Sequence, residues 1–224
     1  MDEILMLYGG GAGMVSFLAR VTGIDASAMV RLRQLTDGSD GQPPVVDVFA
    51  TTPFEVVASR RIQGTVSRDG AVVGADTMLE ALNATEFAAA TPDAPIELNL
   101  GRPRDPSWPG ALPPASGFKL IDNLPVEVAR SLVDEGQKLA RQFSGPMGPP
   151  QSLMNQTVVT AESGDVSAEI PMRMIFACTN LGLIPNFAAP MNVPRHLRIS
   201  GLSRWVRIDA PFGTVYHSNR LSLF

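Results

Sequence analysis

Cysteine is almost missing from this chain: Cys178 stands alone among 224 residues. A single thiol excludes an intrachain disulfide and any zinc cage built on cysteines. It lies in the apolar run Met172-Arg173-Met174-Ile175-Phe176-Ala177-Cys178 with no adjacent cation or histidine to activate it. It therefore reads as a small buried hydrophobe. Histidine is nearly as scarce, with His196 and His217 only. No third ligand accompanies them at metal-binding spacing, so no metal site is expected. No Gly-x-Ser-x-Gly elbow is present, which leaves a hydrolase triad without support. No apolar run nears the roughly 20 residues that a membrane-spanning helix needs. Lysine is scarce too, at 2 against 16 arginines. That imbalance reads as the mark of a GC-rich genome and not as chemistry.

What is present is ordinary globular material. Hydrophobic residues make up 45% and charged residues 18%, which argues against wholesale disorder. The length suits one large domain or two small lobes. The opening Met1-Asp2-Glu3-Ile4 is acidic and lacks the basic stretch of a signal peptide, so a cytoplasmic location is expected. Net charge is −4, unevenly spread: residues 195–224 hold five arginines and one acid.

The end of the chain echoes its beginning. Val48-Phe49-Ala50-Thr51-Thr52-Pro53-Phe54, running on to Ile62, reads against Arg207-Ile208-Asp209-Ala210-Pro211-Phe212, running on to Leu221. Both give an apolar strand, a Pro-Phe turn and a β-rich strand. A short alternating strand precedes each, Met29 to Leu35 and His196 to Leu202, and before that an apolar helix carrying Phe17 or Phe176. This order predicts an internal duplication. The segments 29–62 and 197–221 should form matching antiparallel units, with Phe54 and Phe212 buried at equivalent corners.

Apolar periodicity places the remaining elements. Val126 to Phe143 carries one stripe (Val126, Ala129, Leu132, Val133, Leu139, Ala140, Phe143) with charges off it, which predicts a helix ended by Gly145-Pro146. Further helices are expected over 12–21, 74–83 and 171–183. Strands are expected over 45–50, 55–66, 118–121, 156–161 and 166–170, with a hairpin crossing Arg68-Asp69-Gly70. Residues 96–117, rich in Pro and Gly, read as a connector between a lobe at 1–95 and a lobe at 118–224. Hairpins mixed with helices favour α+β over a doubly wound sheet. The expected architecture is two related sheet-bearing lobes, sharing one core and covered by three to four helices.

Three stretches are candidates for function. Gly9-Gly10-Gly11-Ala12-Gly13-Met14 after an apolar segment resembles a dinucleotide fingerprint, but Met14 stands where the third glycine is required. It reads as an N-terminal turn, and no cofactor is expected. The rigid Gly/Pro loop after the 126–143 helix, residues 144–156, reads as a docking element, because a stiff loop loses little entropy on binding. Arg141, Gln142, Ser152 and Asn155 would form its polar edge. The Arg-rich strands would complete the surface through Arg198, Arg204, Trp205 and Arg207, with Trp205 partly exposed opposite Val206 and Ile208. The expected partner is another protein or a second copy. Nucleic acid is disfavoured by the net charge, and no membrane partner is expected. The rival reading is a small-molecule binder or enzyme with a pocket between the two lobes, lined by Arg141, Asn155, His196 and His217.

The run Leu139 to Leu153, the segment Ile170-Pro171-Met172-Arg173-Met174 and the ending Arg-x-Asp-Ala-x-Phe-Gly-x-Val-Tyr resemble conserved uncharacterised proteins of actinobacteria. That resemblance implies a bacterial protein and no activity. In plan, the chain is also similar to the duplicated chaperones of type VII secretion.

Overall fold

The computed structural model describes residues 1–36, 43–85, 94–143, 150–164, 166–186 and 188–218. The chain divides into two compact units. One comprises Met1–Pro53 and Val57–Leu112, the other Phe54–Val56 and Pro113–Phe224.

The N-terminal unit opens with β1 (Ile4–Gly9) and α1 (Gly11–Ile24), followed by the meander β2 (Met29–Thr36), β3 (Val45–Ala50) and β4 (Val57–Val66). β5 (Val72–Gly74), α2 (Ala75–Asn83) and β6 (Ile96–Asn99) complete it. The strands pair antiparallel, with β2 between β5 and β3, β4 on β3, and β1 between β4 and β6. Met14, Phe17, Leu18 and Val21 repeat at helical spacing and bury one face of α1. Met78 and Leu82 do the same for α2, which packs on α1. β1 and α1 thus build the first residues into the sheet and core of this unit.

A charged cluster ties down the start of this unit. Arg68 bonds the Glu3 carboxylate at 2.9 Å and Asp105 at 2.9 Å. The Ser67 hydroxyl donates to Glu3, and the Val72 N–H donates to Asp105. The Arg68 guanidinium holds the Asp105 carboxyl below its ordinary value. The same cluster explains why residues 66–73 do not form the expected hairpin. β5 leaves β4 and pairs with β2, Val73 opposite Val30. Asp69 accepts from the Gln34 N–H, and the Gly70 carbonyl accepts from Arg31.

The stretch read as connector is also partly structure. β6 falls inside it and pairs with β1, Leu98 opposite Leu5. Trp108 is buried, and the Arg104 N–H donates to the Val72 carbonyl. The short alternation Ile96-Glu97-Leu98-Asn99 is a strand signal masked by the prolines and glycines around it.

The C-terminal unit runs β7 (Lys119–Pro125), α3 (Val126–Phe143), α4 (Gln151–Asn155), β8 (Thr157–Ser163), β9 (Val166–Pro171), α5 (Met172–Asn180), β10 (His196–Leu202), β11 (Trp205–Ala210) and β12 (Gly213–Ser218). β7, β10, β11 and β12 pair antiparallel in that order, and β8 and β9 form a separate hairpin. Leu197, Ile199, Ile208 and Val215 line one face of the sheet and are fully buried. α5 lies buried from Met172 to Cys178, apolar but for Arg173 over that span, with α3 and β12 packed on it.

The expected duplication shows in the order of elements. β1-α1-β2-β3-β4 and β9-α5-β10-β11-β12 each give strand, helix and three-stranded antiparallel meander. Phe17 and Phe176 are both buried in the equivalent helices. The corners differ. Pro53-Phe54 lies in a six-residue connection, Pro211-Phe212 in a two-residue turn. Both Phe54 and Phe212 are half-buried, not buried, because each sits in a turn at the end of its sheet. Among the described residues five α-helices form where three to four were expected, the extra being the single turn α4. The last residues of the echo, 219–221, lie outside the described residues.

The glycine run at the start of α1 has a structural cause. Gly10 takes a left-handed φ of 88° as it caps the helix. At Gly13 a Cβ would lie 2.2 Å from the Arg60 guanidinium of β4. The run makes room for an arginine, and the strand before it is antiparallel to both neighbours, unlike that of a dinucleotide fold.

Candidate functional site

The site grows from one buried charge. Arg173 enters α5 in its first turn, and its side chain is 3% exposed. A guanidinium held away from water must be paired. Arg173 donates to the Phe54 carbonyl at 3.1 Å and to the Glu55 carboxylate at 2.6 Å. Its other terminal nitrogen donates to Asn155 Oδ1, and to Gln151 Oε1 at 3.4 Å. The short helix α4 has no side-chain cap of its own. This arginine fixes it through one residue at each end.

In front of that brace lies a groove of about 590 Å³. Leu139, Pro150 and Leu153 supply its apolar surface, and Ser152, Asn155 and Gln156 its polar edge. Leu139 is 41% exposed, unusual for a leucine on an amphipathic helix packed on α5. Leu153 turns inward and is buried beside Met154. The groove therefore offers an apolar strip beside amides and a hydroxyl. It can seat a side chain and bond a backbone, but it presents no titratable group for acid–base chemistry among the described residues.

Two of the expected docking residues, Ser152 and Asn155, meet in this groove. Arg141 is exposed on α3, about 200° around the helix from Leu139, and does not line it. Residues 144–149 and the Gln142 side chain lie outside those described.

The Arg-rich strands are arranged differently from expectation. Trp205 is buried at 8% exposure, not partly exposed. It pairs with Leu202 and Ser218, with the Arg204 guanidinium 5.9 Å from its ring centroid. Arg207 is used internally: it bonds Asp209 at 2.8 Å and stacks 4.7 Å from the Phe118 ring, which meets Tyr216 edge-on. Arg198 and Arg204 remain exposed. Trp205 lines a second groove, separate from the first.

The pocket imagined around His196 and His217 does not assemble. His217 is level with Val206, and Val206 with Gly201, five residues along β10 from His196. That is on the order of 17 Å at the rise of a strand. The register also puts the two rings on opposite faces. Among the described residues, no group of three His, Cys, Asp or Glu side chains could hold a metal ion. Cys178 is fully buried, and burial pushes its thiol up to about 12. No helix among the described residues is long and apolar enough to cross a membrane.

Sequence reasoning missed Arg173 and Leu139 as parts of one site. The signal was there for Arg173: it is the single charge in α5, set within an apolar run.

The fold is that of the DNA polymerase sliding clamps. The chain is similar to the β sliding clamp of Caulobacter crescentus with polyethylene glycol bound to a region proposed to tether a β-motif, at 11% identity and a TM-score of 0.55. It is also similar to the DNA polymerase III β subunit of Bartonella birtlesii bound to griselimycin (11%, 0.54) and to the sliding clamp of Bacillus subtilis (12%, 0.52). Each match covers 100% of this chain and 66% of the clamp, so the chain spans just under two thirds of their length. In sequence, residues 9–108 match the family DUF8010 and residues 113–222 match DUF8185, both described as domains of unknown function. No curated protein matches the chain.

Proposed function

We propose that this chain is a non-enzymatic docking scaffold of the clamp fold, which binds another protein or a second copy of itself through the α4 groove. One observation carries the reading: Leu139, Leu153, Ser152 and Asn155 converge on an open groove, with Asn155 held by the buried Arg173. Pre-organisation of this kind lowers the entropy lost on docking. Ser152 and Asn155 form the recognition edge. Arg141 and Gln142 stand at the neighbouring helix end, and exposed Arg198 and Arg204 extend the surface as rim charges. Trp205 and Arg207 leave the list of anchors, because both are engaged inside the unit.

The fold supports binding of this type. One clamp holds polyethylene glycol at a region proposed to tether a β-motif, and another holds griselimycin. Charge supports protein over nucleic acid. The exposed charges of α2 are Asp76 and Glu80, α1 exposes Arg20, and α3 mixes Glu127, Asp134 and Glu135 with Lys138 and Arg141. None of these faces makes the basic stripe that phosphate neutralisation needs. A cytoplasmic location belongs to the same reading. The likeness in plan to secretion chaperones adds no residue to it.

Photo-crosslinking tests the proposal. Benzoylphenylalanine at Ser152, expressed in the native cell, should trap a discrete protein. The same probe at exposed Ser16 on α1 should not. Leu139→Asp should abolish the adduct. Equal background at Ser152 and Ser16 would reject the groove as a docking site.

A further inference from the structure

The second groove, of about 500 Å³, lies in the C-terminal unit beside Trp205. One wall consists of four consecutive residues of β9, Val166, Ser167, Ala168 and Glu169. Successive side chains of a strand point to opposite faces. A cavity that touches four in a row therefore runs along the strand's edge, where backbone N–H and C=O groups project. β9 pairs only with β8, in a two-stranded sheet. Its outer edge thus has no ladder partner among the described residues, and such an edge accepts an extended chain as a further strand.

The opposite side suits a side chain. Leu202 and Val206, from the end of the neighbouring sheet, give it an apolar surface, and Trp205 closes it. Gly201 keeps the floor low: a Cβ there would lie 3.0 Å from Ile121 Cδ1. The rim carries one charge of each sign. Lys119 is exposed and makes no ion pair among the described residues. Glu169 has only a 3.5 Å contact with the Thr157 hydroxyl.

We infer that this groove binds an extended peptide segment of a partner protein as a third strand on β9. An apolar side chain of the segment seats against Leu202, Val206 and Trp205. An acidic side chain meets Lys119, and a basic one meets Glu169. Four residues of β9 span roughly 13 Å, so a segment of about four to six residues fills the site. The surface shares no lining residue with the α4 groove, and the inference stands whether or not that groove docks a protein.

The test uses the full chain and a displayed library of linear ten-residue peptides, followed by fluorescence polarisation on the enriched sequences. Enriched peptides should alternate apolar and polar residues and carry an acid. Lys119→Glu should weaken them roughly tenfold or more, and changing the peptide's acid to Lys should restore binding. Val166→Asp, at an exposed position, should also weaken them, while Ser152→Arg should not. Failure to enrich any peptide overturns the inference, as does equal binding to wild type and Lys119→Glu. Tighter binding after truncation at Ser218 would assign the groove to the chain's own end. A dimer that Lys119→Glu dissolves would assign it to a second copy. Either of these also overturns it.

Discussion

Two glycines in helices should answer alanine with opposite signs. Gly23 is exposed in the last turn of α1, and a Cβ built on it meets nothing within 4 Å. Gly136 is buried in α3 where that helix packs on α5. A Cβ there would lie 2.9 Å from Met172 Cε, 3.1 Å from Met172 Sδ and 3.1 Å from Phe176 Cζ. Helix propensity alone favours alanine by about 1 kcal/mol in a helix interior, less near an end. Gly23→Ala should therefore stabilise by about 0.5 kcal/mol. At Gly136 the same gain opposes overpacking, which costs about 1–3 kcal/mol in a filled core. The tip of Met172 can rotate away. The Phe176 ring belongs to a helix buried on all sides and has little room to move. The net expectation for Gly136→Ala is a loss of about 1 kcal/mol. At about 2–4 °C per kcal/mol for a chain of this size, the two variants should separate by about 3–6 °C in Tm. Calorimetry resolves this, each shift being read in the transition of the unit that carries the helix. If Gly136→Ala stabilises as much as Gly23→Ala, the α3–α5 contact is looser than described and the reasoning fails.

Arg173→Met should destabilise the C-terminal unit by about 2 kcal/mol, the scale of lost charge-assisted bonds, because exposed Glu55 and Asn155 can rehydrate. It should also speed amide exchange in α4, and unchanged exchange there would refute the brace. Asp105 tests the N-terminal cluster by pH. Its folded-state value lies below the ordinary 3.8, so its contribution is complete above that value and disappears as pH falls through the depressed one. Asp105→Asn should flatten the acid side of the stability profile by at most about 1 kcal/mol, since the pair is half exposed. A steeper acid limb in that variant would contradict the sign. Cys178 should resist alkylation by iodoacetamide at pH 8 until denaturant is added. Rapid labelling of the native protein would show that the thiol is neither buried nor raised.

The elements with a strong period were legible. The stripe of α3 marked a helix from Val126 to Phe143, as found; β3 lies where its apolar run put it, and β10 where alternation did. The duplication was legible because order survives when side chains do not. β6 was hidden, since four alternating residues cannot outweigh a Pro/Gly background. Trp205 was misread for a different reason. Strand alternation says which face a side chain takes, but not that neighbours from Leu202 to Ser218 will cover that face. The candidate site was half legible. Ser152 and Asn155 followed from the polar composition of their loop. Arg173 did not, because its partners lie far off in sequence, at Phe54 and Glu55, and no local pattern reports a long-range pair.

The contact between Arg173 and Phe54 also sets an order of events at the ribosome. These residues are 119 apart in sequence. At about 5–20 residues per second, the arginine emerges roughly 6–24 s after the carbonyl it will bond. For that interval the turn after β3 is complete in sequence and unfinished in bonding. A chain cut at Leu112 would keep it so permanently, and a clone begun at Pro113 would present Arg173 with nothing to receive it from that turn. Halves made separately should therefore each carry a defect at this one place, and supplying residues 54–56 should relieve it in the second.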